Sequence, residues 1–380
     1  VKNTITFDPQ ILKRYVNFMN NPDEETAVAQ FGKGDKYFGV CTLMVTMPGL
    51  PMFGHGQIEG YEEKYGMEYT RAYKDEQPDG YLIERHNREI FPLLHKRYLF
   101  SGVEDFLFYD VWDKGHVNEN IFAYSNRAGN EYTVVFYNNK YERAWGWIKQ
   151  SCQYAVKTGS GENDKKMMTR SISEGLGLTA EDDCYMIFRE QRSGLWFIRK
   201  SREICEKGMF ISLNGFESQV FMDIRQEKDR DGSLAELCNF LNGKGTPDIA
   251  TAWQELHYKE LYEKFNAVLD AEYENIKVQP AGARTQEGKK YYAKEKTECI
   301  KLFTNALAQF YELANKIAKE ESGQKKFKTI KPVKILKKHF AGFGISAAVK
   351  NDLKKEKLSP EEEKAALQKA QFNVTKSAFL

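Results

Sequence analysis

The stretch Asn21-Pro22-Asp23-Glu24 sets an amide and two carboxylates directly after the apolar run "RYVNFM" (14–19). A strand that runs into polar side chains has reached the edge of a sheet, and binding groups concentrate on such edges. Each residue also has a plain structural use. Asp23 stands before "ETAVA" and suits a helix N-cap, Asn21 suits a turn, and Glu24 suits a helical first turn. His55, between Gly54 and Gly56, is the other candidate, either facing a ligand or serving as a satisfied structural histidine.

These residues need elements to hold them. "RYVNFM" predicts a buried strand, and "DKYFGVCTLMVTM" (35–47) predicts a helix ended by Pro48-Gly49. "LPMFGHG" (50–56) predicts a second short strand. "GYLIERHNREIFPLLHKRYLF" (80–100) predicts a second helix, with Ile83, Ile90, Leu94 and Tyr98 near helical spacing and a kink at Pro92. Strand, helix, strand, helix is the unit of a parallel α/β sheet or barrel. After Gly102 the period falls to two. "DFLFYDVW", "NIFAYSN", "EYTVVFYN", "CYMIFRE", "GLWFIRK" and "GMFISLNGFESQVFMDIR" predict an antiparallel sandwich, with a tight turn at Gly194 and a polar stretch at 157–183. Beyond residue 232 the pattern is helical. Ser233 and Glu236 form a capping-box pair by spacing, and Ile300, Phe303, Leu307, Phe310, Ala314 and Ile317 form one apolar stripe. Ser359 suits the cap of a last helix.

At 380 residues and 41% hydrophobic content the chain has material for two or three domains. The formal charge of +2 hides an imbalance, for residues 281–380 carry +11 and residues 1–280 carry −9. The basic lysines alternate with acids and lack arginine clusters, which favours a solvated helical face over a nucleic-acid surface. Six scattered cysteines show no CxxC and no close histidine pairing, against a zinc site or disulfide scaffold and in favour of a reducing, cytoplasmic compartment. No run of 18 apolar residues exists to span a membrane. No cofactor motif is present; "GSGEN" (159–163) lacks a preceding strand and a Lys-Ser pair and reads as a loop. The start at Val1 looks like a cut inside a longer polypeptide.

"FMNNPD" (18–23), followed by "LMVTMPGLPMFGHGQIEGYEE", resembles the end of the catalytic barrel of the α-amylase family, glycoside hydrolase family 13. The seventh barrel strand of that family ends in F-x-x-N-H-D, matched at Phe18, Asn21 and Asp23. A T-x-P-G-x-P turn and an eighth strand ending Y/F-x-G-Q-E follow, matched at Thr46, Pro48, Gly49, Pro51, Phe53, Gly56 and Gln57. The resemblance covers residues 1 to about 225. It implies residues 1–102 as the last part of a (β/α)8 TIM barrel, 103–230 as an antiparallel β-sandwich domain and 231–380 as a basic helical extension. It further implies a retaining hydrolase or glucanotransferase acting on α-glucan or malto-oligosaccharide. Asp23 would be the transition-state stabiliser and Asn21, Glu24 and His55 substrate contacts, while the nucleophile and acid/base would lie in an upstream part of the same polypeptide. Pro22 stands where the family has a histidine that donates to the sugar. Transferases acting on maltose 1-phosphate share that proline. Tyr61, Tyr65, Trp145 and Trp147 could stack on sugar rings or simply pack. The alternative is a non-catalytic carbohydrate-binding or assembly module.

Overall fold

The computed structural model describes residues 1–64, 71–159, 161, 164–277 and 286–322. Residues Val1–Trp253 form one compact unit and Gln254–Leu380 another. The fold mixes helices with largely antiparallel sheets. No helix among the described residues is long and apolar enough to cross a membrane.

In the first unit, after the helices Lys2–Phe7 and Pro9–Arg14, β1 (Val16–Phe18) and β2 (Leu50–Met52) pair in parallel with Val16 opposite Leu50 and Phe18 opposite Met52. The helix Asp35–Thr46 lies between them in the chain and ends where Pro48-Gly49 forces a turn. The strand "RYVNFM" is shorter than expected and not buried. Val16 and Phe18 are exposed, because among the described residues this sheet has only two strands and its flanks lack cover.

Twelve further strands follow: β3 (Leu107–Tyr109), β4 (Trp112–Asp113), β5 (His116–Val117), β6 (Ile121–Ala128), β7 (Glu131–Asn138), β8 (Ala144–Ile148), β9 (Tyr154–Lys157), β10 (Lys165–Met168), β11 (Cys184–Glu190), β12 (Trp196–Lys200), β13 (Met209–Leu213) and β14 (Ser218–Lys228). One sheet has the order β12-β11-β14-β7-β6-β3, another β13-β8-β4-β5, and β9 pairs with β10. The turn containing Gly194 closes β11 onto β12, with Arg189 opposite Trp196.

β7 reads as a nearly unbroken apolar run because both its faces are covered. Val135 joins a core with Tyr37, Phe38, Met44 and Phe100 from the helices. Val134 and Phe136 point the other way, into a core shared with Ile148 of β8 and Ile211 of β13. Each such side chain contributes about 1.5–3 kcal/mol on burial. The helix 35–46 lies so close to β7 that a methyl at Gly39 would sit 2.0 Å from the Tyr137 ring.

Four expectations need correction. The helix over 80–100 is broken into Gly80–Arg85, a π-turn at His86–Ile90, Phe91–His95 and Arg97–Ser101. Pro92 has no N–H to donate and its ring crowds the turn before it, so that turn widens. The polar stretch 157–183 holds β10 and a short helix, Ile172–Gly175, with a capping box between Ser171 and Glu174. β8 was absent from the expected strands, since "AWGWI" is apolar on both faces. Ser233 is the first helical residue rather than the cap of Ser233–Leu241; the Asp229 carboxylate accepts from the Gly232 and Ala235 amides, each at 2.9 Å. Ser359 lies outside the described residues.

In the second unit the helices Lys259–Lys277 and Gln286–Ser322 carry a small core of Val268, Phe303 and Leu307. Ile300 and Phe310 are partly buried against it, as the apolar stripe requires.

A buried ion pair, Arg85 with Glu89, holds the π-turn, and Arg85 also ties it to half-exposed Asp35 at the start of the helix Asp35–Thr46. Arg85 donates to both oxygens of Glu89 at 3.0 Å and to Asp35 at 3.0 Å, and Arg88 donates to Glu89 at 2.9 Å. Burial by itself would raise the Glu89 carboxyl, but the bonds from Arg85 and Arg88 outweigh it and hold the group below the ordinary glutamate range. A depressed folded-state value gives stability that is present above the unfolded value and is lost as pH falls through the folded one. Denaturant midpoints of the chain should therefore drop from about pH 6 to about pH 3, while Glu89→Gln, weaker near neutrality, should lose less over that interval. Parallel curves for the two proteins would contradict the assignment.

Candidate functional site

β1 and β2 are parallel, so residues 19–24 and 53–57 leave the sheet from the same end. The two segments touch. Gln57 donates to the Met19 sulfur at 3.3 Å, and Lys64 donates to the Asp23 carbonyl at 2.9 Å. A methyl at Gly54 would come within 2.5 Å of the Asn20 amide, so only glycine fits against that side chain.

The polar stop is built as an Asx turn. The Asn21 side-chain oxygen accepts from the Asp23 and Glu24 amides at 2.9 and 3.0 Å. Asp23 is not a helix cap. The following helix, Ala27–Phe31, is capped by Thr26, whose hydroxyl accepts from the Ala29 amide at 3.3 Å. The Asp23 side chain is exposed, and its carboxylate takes no hydrogen bond or ion pair from another described residue. Glu24 is exposed in the turn and lies outside the helix, not in its first turn. His55 is exposed too, with its ring 6.4 Å from that of Tyr61. Tyr65 lies outside the described residues.

Beneath this end runs a buried polar chain. The Gln57 side chain accepts from the Gly54 amide at 3.0 Å, and its backbone carbonyl accepts from the Tyr37 hydroxyl at 2.7 Å. Tyr37 also lies 3.1 Å from His86 Nε2, and His86 Nδ1 lies 2.9 Å from the Leu82 carbonyl. Burial lowers the His86 imidazole and raises the Tyr37 hydroxyl, so both stay neutral near pH 7. Asn20 is 6% exposed, and its side-chain oxygen has no partner among the described residues. An unpaired buried amide oxygen costs about 1–3 kcal/mol, which a donor arriving at this end would recover. Asn20, Tyr37 and His86 were not among the expected site residues, and Gln57 entered only as a motif position.

The arrangement offers an exposed carboxylate on a stiff turn, backed by a hydrogen-bonded floor. That suits holding hydroxyl groups or opposing a developing positive charge, and without a second reactive group it makes no bond by itself. The other acidic grouping, Glu181, Asp183 and Cys184, already has a cation, since Lys228 pairs with Glu181 at 2.9 Å and Asp183 at 3.3 Å.

No family model and no curated protein matches the chain. Among solved structures it is similar in part to an α-amylase from Geobacillus thermoleovorans in complex with acarbose, at 14% identity and a TM-score of 0.37, covering 56% of this chain and 39% of that one. It is similar in the same way to a noncanonic maltogenic α-amylase from Thermotoga neapolitana, at 16% identity and TM-score 0.34, covering 55% and 41%. A debranching enzyme from Nostoc punctiforme matches at 12% identity and TM-score 0.31, covering 56% and 34%. The chain thus spans about two fifths of the length of the first of these structures. Overlaps of this size at such low identity do not define a family for it.

Proposed function

We propose that the chain is the C-terminal part of a retaining α-glucan-active enzyme of the α-amylase type, a hydrolase or glucanotransferase. One observation supports this above the others: the two motifs occur in the family's order, and the segments that carry them leave one end of a parallel strand pair. On this reading residues 1–102 close a catalytic barrel, 103–230 form its β domain and 231–380 extend it. Retaining chemistry needs two carboxyls about 5–5.5 Å apart, one as nucleophile and one as acid/base. These would come from upstream in the same polypeptide. Asp23 would hold the sugar's 2- and 3-hydroxyls through bonds that strengthen as the ring flattens toward an oxocarbenium ion, so its effect falls on turnover. Lys64 on the Asp23 carbonyl and the Asx turn from Asn21 would keep that carboxylate in place. Pro22 offers no donor to the sugar, and binding in the first subsite would rely on neighbouring groups.

The test follows the first sugar released from maltodextrin by the longer polypeptide, using proton NMR. The α-anomer is expected, and the 380-residue chain alone should show no turnover. Release of the β-anomer, or turnover by the chain alone, would sink the proposal.

A further inference from the structure

The outward face of the sheet β13-β8-β4-β5 carries a row of aromatic rings. Along β8 the alternation buries Ala144, Gly146 and Ile148 and turns Trp145 and Trp147 to solvent. The register sets Phe210 of β13 on one side of Trp147 and Trp112 of β4 on the other. Their exposures are 50% for Phe210, 43% for Trp147 and 48% for Trp112, with Trp145 at 41%. The rings of Trp147 and Phe210 lie 5.3 Å apart at 53°. Three of the chain's five tryptophans therefore face water from one sheet. Scattered exposed apolar residues need no explanation, but a contiguous row marks a binding surface.

A groove of about 970 Å³ continues from this row and runs between β13 and the sheet that contains β12. Trp147 and Phe210 line it together with Phe197, Ser212, Asn214 and Gln219. Charges of both signs border it and balance: four acids (Asp35, Glu190, Glu203 and Glu217) stand against four bases (Arg88, Arg192, Arg199 and Lys207). No net charge selects an ion, so the surface fits a neutral ligand with flat apolar faces and polar edges. A pyranose chain has that character, with C–H groups on its ring faces and hydroxyls around them. A second copy fits less well. The four exposed aromatic side chains offer roughly 400 Å², half of the roughly 800 Å² per partner that a stable interface buries.

We propose that this face and its groove bind a linear α-glucan, with successive sugar rings stacked on Trp112, Trp147 and Phe210. Neighbouring strands lie about 4.8 Å apart, a spacing near the length of one sugar residue. The α-linkage rests on the function proposed above; the stacking does not.

The experiment is calorimetric titration of the 380-residue chain with maltoheptaose, with tryptophan fluorescence as a second readout. Saturable binding with a fluorescence change is expected, weakened at least 10-fold by Trp147→Ala and by Phe210→Ala. Thermal unfolding of each variant reports on its fold, and because both substituted side chains are exposed, at least one variant should melt like the parent. No saturable binding, or binding unaffected in a folded variant, would overturn the proposal. So would preference for cello-oligosaccharide, or a dimer in sedimentation that Trp147→Ala dissolves. Binding is read here without turnover, so this result and the anomer result can fail independently.

Discussion

Arg97→Ala should lower the stability of the first unit by about 3 kcal/mol, on the order of 100-fold in the ratio of folded to unfolded chain. The Arg97 guanidinium donates to the carbonyls of Val45 and Met47 at 2.8 Å each, and also to that of Gly49. Val45 lies in the last turn of the helix 35–46, whose final carbonyls have no partner within the helix. Met47 and Gly49 flank the turn that feeds β2. One planar fork thus satisfies three acceptors that alanine would leave unpaired. Burial lowers the guanidinium from its ordinary value, but not enough to discharge it near neutral pH. Arg97→Lys should recover only part of the loss, because an ammonium cannot span three carbonyls in one plane. Urea denaturation of the three proteins checks this. A loss in Arg97→Ala below about 0.5 kcal/mol would show that water replaces the side chain at no cost.

Much of the fold was legible where local pattern and burial agree. "EYTVVFYN" became β7 residue for residue, and the helix 35–46 ended at Pro48-Gly49 as its punctuation required. The β9–β10 hairpin was hidden because Lys165, Lys166, Met167 and Met168 show no buried alternation; only the pairing with Tyr154–Lys157 makes them a strand. Ser233 was misplaced because Asp229, four residues earlier, takes an amide of the helix's first turn, that of Ala235, and spacing alone cannot rank the two acceptors. At the candidate site, Asn21, Asp23 and His55 stood out as polar residues at strand ends. Asn20 and Gln57 did not, because the burial of a polar side chain is decided by what packs over it, here Gly54 and Met19. Trp145 and Trp147 invited a stacking role, but Trp112 joins them only through the β4–β8 register, which is set by contacts far apart in sequence.

The Asp23 carboxylate carries the proposed chemistry, and the direct measurement is steady-state kinetics of Asp23→Asn in the longer polypeptide on maltodextrin. Asparagine keeps the size and one acceptor oxygen but loses the charge that opposes a developing oxocarbenium ion. The loss should fall on the transition state, as for other preorganised groups, each worth about 3–4 kcal/mol. Because the Asx turn is made by the backbone amides of Asp23 and Glu24, and Thr26 caps the helix, the substitution should leave the local fold intact. The predicted result is a fall in kcat on the order of 100-fold or more, with a smaller change in KM and unchanged thermal unfolding. Wild-type kcat in a folded Asp23→Asn protein would contradict the account and leave Asp23 a surface residue of a turn.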